Sequence, residues 1–166
     1  KMDIVQALEA YTLAQKTVAT NFICLGIGLI IFAIVVWVFA PSGQLSNGLK
    51  YGSLVCGILI MIGGFSYSNF SQKILDNGIK AEKENHVQFV EEETIRMEKV
   101  EKGFPIYQMV FGAFIAIPLL FILFINKPLL NGISFAVMIL FLFQMIIEAY
   151  SYTSIAEYSK YLKALM

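Results

Sequence analysis

The sequence predicts an all-α membrane protein: a four-transmembrane-helix bundle made of two tandem pseudo-repeats, each an amphipathic helix followed by two spans. Three observations carry this. The 166 residues are 58% hydrophobic and 14% charged, whereas soluble domains carry about 25% charged residues. Four apolar segments, at about 18–40, 48–68, 104–125 and 132–152, each approach the ~20 residues that cross a ~30 Å hydrocarbon core as a helix. The two halves also resemble each other at an offset of 84–85 positions. Asn47–Gly48–Leu49 pairs with Asn131–Gly132–Ile133, and Phe65–Ser66–Tyr67–Ser68 with Tyr150–Ser151–Tyr152–Thr153.

The first half, 1–79, opens with an amphipathic stretch at 3–17 that puts Ile4, Leu8 and Tyr11 on one face. The span at 18–40 follows. It is too long for the apolar region of a signal peptide, and the one plausible cleavage point, after Ala40, is followed by proline. A short polar loop leads to the span at 48–68. Asp76–Asn77–Gly78 is a helix stop signal.

The second half, 80–166, opens with a charged helix at 80–102. Glu92–Arg96 and Glu98–Lys102 are opposite charges four apart. Val87, Val90 and Met97 have heptad-like spacing, and with Arg96 they form a candidate partner surface. Residues 76–102 hold eight acids and five bases. An anionic leaflet repels such a segment, so it is expected to pack on the N-terminal helix or on a partner. His86, four residues after Glu82, reads as a surface residue. Gly103–Phe104–Pro105 marks re-entry into the span at 104–125. The span at 132–152 and a cytoplasmic tail complete the chain.

Basic residues set the orientation. Lys1, Lys16, Lys73, Lys80, Lys83, Arg96, Lys99, Lys102, Lys160 and Lys163 fall on one side, and only Lys50 and Lys127 on the other. Ten against two places both termini and the long connection in the cytoplasm, as expected for a bacterial cytoplasmic membrane. Between spans, close packing replaces the hydrophobic effect. The expected packing residues are Gly52, Cys56, Gly57, Gly63 and Gly64 in the second span, and Gly112 and Ala116 in the third. The depths of Cys24 and Cys56 differ too much for a disulfide.

The candidate functional polar site lies late in the chain. Gln144 and Glu148 interrupt an apolar run, and Ser151 and Tyr152 continue the stripe. Ionisable residues within spans are functional candidates. In the repeat, Glu148 falls opposite Gly63 or Gly64. That gap predicts an approach to the second span, with Ser66 or Tyr67 as hydrogen-bond partner.

Zero net charge offers no field for nucleic acid. One histidine, two cysteines and no catalytic or nucleotide-binding motif imply no cofactor, no metal and no enzyme. The reading that follows is a small polytopic protein acting by protein–protein interaction. It would be a subunit or assembly factor of a membrane complex, or an immunity-type protein, which shares the plan of four spans and inside termini. Its expected partners are the lipid bilayer and a homo-oligomer or other membrane subunits. The alternative is an oligomeric small transporter or channel using the Gln144–Glu148 stripe. A membrane enzyme is the least supported class, because no acid–base pair stands out.

Overall fold

The computed structural model describes residues 3–166; Lys1, one of the ten basic residues used for orientation, lies outside them. The chain forms four long helices: α1 (Ile4–Phe39), α2 (Gln44–Glu84), α3 (His86–Phe124) and α4 (Pro128–Lys163). All four are long and apolar enough to cross a membrane, as in an integral membrane protein. Their 36 to 41 residues correspond to about 54–62 Å at ~1.5 Å per residue. That is roughly twice a ~30 Å hydrocarbon core, so each helix has an apolar half and a half beyond it.

Neither amphipathic stretch is a separate helix. Residues 3–17 run unbroken into the first apolar segment as α1, which opens with a capping box: Asp3 Oδ1 accepts from Ile4 N–H at 2.7 Å, and Gln6 Oε1 accepts from Asp3 N–H at 3.1 Å. The stop expected at Asp76–Asn77–Gly78 is overturned, because α2 continues to Glu84. Gly78 serves close approach instead. A Cβ there would lie 2.5 Å from Leu8 Cδ2. The break falls at Asn85, whose N–H donates to Ala81 O and whose Oδ1 accepts from Gln88 N–H. One residue thus ends α2 and caps α3. Nor does Gly103–Phe104–Pro105 interrupt the chain, since α3 passes through it. Phe104 packs on Tyr152 of α4 with tilted rings, centroids 4.4 Å apart.

At the end bearing both termini the core resembles that of a soluble bundle. Ile4, Leu8 and Tyr11 of α1 meet Phe89, Val90 and Met97 of α3 and Ile155, Tyr158 and Leu162 of α4. The expected face of α1 is the buried one. The charged helix packs on α1 and α4, so the partner surface expected there is corrected. Val90 and Met97 are core residues, Arg96 is tied down within the chain, and only Val87 stays exposed, at 74%. Arg96 pairs with Glu93, three residues away, rather than Glu92, which accepts from Gln88. His86 sits exposed, 3.3 Å from Glu82.

In the apolar halves, glycine decides where helices meet. A Cβ on Gly26 would lie 2.7 Å from Gly57 O, and one on Gly57 2.8 Å from Gly26 O. Gly64 is pressed on Ala19 O (2.9 Å) and Ile23 of α1. These contacts form the α1–α2 seam. The α2–α4 crossing uses another set. A Cβ on Gly48 would collide with Leu129 O, and one on Gly132 with Leu45 O. Gly52 lies against Ile133 and Ala136, and Ser53 and Cys56 are buried beside it.

Three expected packing residues stand elsewhere. A methyl group added at Gly63 or Gly112 would have nothing within 4 Å, and Ala116 is exposed. The reason for the last two is the position of α3, which leans on α4 and leaves its apolar stretch 6% buried, against 39% for α2. Both cysteines are free, and Cys24 is exposed rather than packed.

Candidate functional site

Polar and aromatic side chains from all four helices meet where the apolar halves give way to the charged end. They enclose a cavity of about 310 Å³. α1 supplies Tyr11, Thr12 and Gln15, continuing the buried stripe begun by Ile4 and Leu8 at three- and four-residue steps. α2 supplies Tyr67 and Ser71, with Phe70 at the rim. From α3 come Arg96, Phe104, Tyr107 and Phe111, and from α4 Glu148 and Ile155.

Two hydrogen-bonded groups frame this space. In the first, Tyr67 OH donates to Gln15 Oε1 at 2.5 Å, and Gln15 Nε2 donates to Ser154 Oγ at 3.3 Å. Ser154 Oγ donates to Ser151 O, and Ser151 Oγ donates to the Glu148 main-chain oxygen at 2.8 Å. Ser151 Oγ also lies 3.4 Å from Glu148 Oε2. This chain links α2, α1 and α4.

The second group is ionic. Arg96 Nε and Nη2 donate to the two Glu93 oxygens at 2.7 and 2.6 Å, the forked geometry that gives arginine–carboxylate pairs their strength. Tyr158 OH donates to Glu93 Oε1 at 3.2 Å. Its ring stacks on Tyr11 at 4.8 Å, and the guanidinium lies over the Tyr11 ring at 5.6 Å. Burial pushes the Tyr158 phenol above its ordinary range, and the neighbouring Glu93 charge adds to the shift. Tyr11 is raised too, chiefly by burial, with Arg96 opposing. For Arg96 itself burial disfavours the charge, but Glu93 overcomes this and holds the guanidinium protonated.

Of the residues singled out from sequence, Glu148 and Tyr67 line the cavity and Ser151 is bonded beside it. Tyr152 stands on the α3 side, its ring tilted against Phe104. Gln144 is half-buried one turn deeper, outside the lining, and Ser66 is exposed. The bond expected between Glu148 and Ser66 or Tyr67 is replaced by others: Glu148 pairs with Ser151, and Tyr67 with Gln15. The expected gap at Gly63–Gly64 is absent because α1 fills the space at Gly64, while Gly63 points to open space.

Sequence reasoning missed Tyr11, Thr12 and Gln15 as site residues. The signal was present, since a glutamine continuing the apolar face of α1 marks a polar group on a buried stripe. Chemically the arrangement is a binding site more than a reaction centre. Ser151 and Glu148 form a pair with no third group to orient them. Among the described residues no three His, Cys, Asp or Glu side chains cluster as metal ligands would. Comparison with protein-family models, curated proteins and solved structures returns no match to the chain.

Proposed function

We propose that this is a multi-pass protein of a cytoplasmic membrane, with both termini and the α2–α3 turn inside, acting by association with another membrane protein or a second copy of itself. The subunit, assembly-factor and immunity-type roles all belong to this class. One observation carries the reading: the uncovered flank of α3. Gly112 and Ala116 stand four residues apart on that flank, Gly112 facing open space and Ala116 exposed. Apolar side chains lose nothing by facing lipid. A small-residue face, however, gains from a neighbouring helix that packs closely.

Two further observations support the finer architecture. Lys50 lies over Trp37 and Tyr51 at the end it shares with Lys127, opposite the other described basic residues, in keeping with the orientation. The α2–α4 crossing is reciprocal: Gly48 faces Leu129, Gly132 faces Leu45, and Gly52 faces Ala136. Each of the pairs 45/129, 48/132 and 52/136 is separated by 84 positions. A pseudo-two-fold axis between tandem repeats brings equivalent residues together in this way.

The test is cross-linking in the native membrane, purification in nanodiscs and mass spectrometry. A stoichiometric partner, foreign or a second copy, is expected, and Gly112→Leu should remove it. A monomer accompanied only by lipid would refute the proposal. The Glu148 cavity favours a second reading, solute handling by an oligomer. On that reading Glu148→Gln abolishes flux in liposomes, whereas association survives it.

A further inference from the structure

We infer that the cavity lined by all four helices binds an amphiphile with an ammonium head and an apolar body, with Glu148 as counter-ion and aromatic rings as walls. The inference is independent of the association proposed for α3.

The charge balance comes first. Arg96 lines the cavity, but its two charge-assisted bonds run to Glu93 and a third contact to Met97 Sδ, and the Arg96–Glu93 pair adds no net charge. Glu148 differs. Its side chain is bonded to Ser151 alone, a neutral donor at 3.4 Å. Among the described residues, no ion pair within 4.0 Å involves Glu148. A carboxylate within an apolar segment and without a counter-ion is costly, and a cationic ligand removes that cost.

The walls suit the same ligand. Tyr67, Phe104, Tyr107 and Phe111 line the space, and aromatic rings attract alkylammonium heads. Polar capacity is also left over, because the Thr12 hydroxyl, on a residue 1% exposed, is buried without a partner. The volume of about 310 Å³ lies at the lower end of the ~300–1,000 Å³ of small-molecule sites. Phe70 and Tyr107, 57% and 61% exposed, flank the opening between α2 and α3. A ligand dissolved in the bilayer reaches Glu148 sideways through that opening, at headgroup level, without crossing the core.

The first experiment titrates benzyltrimethylammonium into delipidated full-length protein in dodecyl maltoside by calorimetry, with empty micelles subtracted. Saturable binding is expected, at least tenfold tighter than for the neutral isostere neopentylbenzene. Glu148→Gln should lose at least tenfold in affinity, and the exposed-carboxylate control Glu9→Gln should lose nothing. Circular dichroism establishes that both variants stay helical. Phe104→Leu, which keeps the carboxylate and removes one ring, should lose severalfold and guards against misfolding of the first variant.

Native mass spectrometry of protein taken directly from membranes separates the two sources of such a head. One phosphatidylethanolamine retained per chain, and lost in Glu148→Gln, assigns a lipid headgroup. Saturable probe binding with no retained aminolipid assigns a free lipophilic amine. The inference is overturned if binding is not saturable and no aminolipid is retained, if neopentylbenzene binds equally well, or if Glu148→Gln binds like the unsubstituted protein.

Discussion

The hairpins α1–α2 and α3–α4 share a plan and differ in how tightly they close. In the first, Gly57 and Gly64 of α2 admit the backbone of α1 at Gly26, Ala19 and Ile23. Eighty-four positions on from those two glycines stand Phe141 and Glu148. Phe141 stacks on Phe114 at 4.4 Å and meets Phe111 at 5.9 Å, so a ring separates α3 from α4 where glycines bring α1 onto α2. Glu148 faces the cavity, with Tyr107 across it, where Gly64 is pressed on Ile23. Phe141 and Glu148 thus stand on α4 at the spacing of Gly57 and Gly64 on α2, Phe141 against α3 and Glu148 in the cavity lining.

The comparison teaches where helix packing gets its driving force. In the charged halves, water drives burial, and ordinary leucine, isoleucine and methionine contacts suffice. In the apolar halves lipid competes on equal terms, and only close approach or a polar contact favours one helix over a lipid tail. α3 therefore depends on its polar end, where Arg96, Glu93 and Tyr158 fix it to α1 and α4. The residues 84 positions earlier are Thr12, Glu9 and Ile74, with Glu9 exposed, and α1 is held in addition by the glycine seam with α2.

Breaking that polar clamp should have the largest effect. Arg96→Ala strands a buried carboxylate, Glu93, and is expected to cost about 3 kcal/mol, the lower end for a broken buried pair because the arginine is partly exposed. Denaturation in mixed micelles measures it, and a loss under about 1 kcal/mol would mean that α3 is held by other contacts. Next comes the seam. Gly57→Ile should cost about 2–3 kcal/mol by overpacking, while Gly112→Ile, in open space, should stay within about 0.5 kcal/mol. Equal costs would erase the distinction between the hairpins.

Alkaline pH probes the clamp more gently. The Tyr158 pKa is raised in the folded state above the ordinary phenol value of 10.0. The unfolded chain therefore releases this proton first, so the stabilisation is complete below about pH 10 and is lost as pH rises above it. At about pH 11 the loss attributable to Tyr158 is on the order of 1 kcal/mol. Tyr158→Phe should flatten the alkaline limb of a stability–pH curve by that amount. An unchanged limb would place the ionising group elsewhere. A milder loss is expected for Phe141→Ala, about 1 kcal/mol from lost ring contacts, with α3 and α4 closer in spin-label distances. Unchanged distances would remove the spacer role of Phe141.

The helices were legible because lipid leaves so few options. A run of ~20 apolar residues has to be helical, and the Ile4–Leu8–Tyr11 face is a plain periodic signal. The ends were harder. Asp76–Asn77–Gly78 carries stop chemistry, yet Leu8 packing over Gly78 outweighs that local preference. Gly26, Gly57 and Gly64 could be recognised as packing residues, but small-residue spacing does not say which neighbour fills them. For that reason Gly112 and Ala116 looked equivalent to them and are not. Glu148 stood out through its charge alone. Its surroundings depend on Gln15 and Thr12, more than 130 positions away in the chain, and no local pattern connects them.

The most direct test is photo-crosslinking in native membranes, because the reading requires the flank that α3 leaves open to take another protein. A benzophenone side chain is placed at Gly112, on the bare flank of α3, and separately at Gly63, on the open face of α2. The account predicts a discrete protein adduct from position 112 and lipid adducts alone from position 63. Lipid adducts alone from both positions would contradict it.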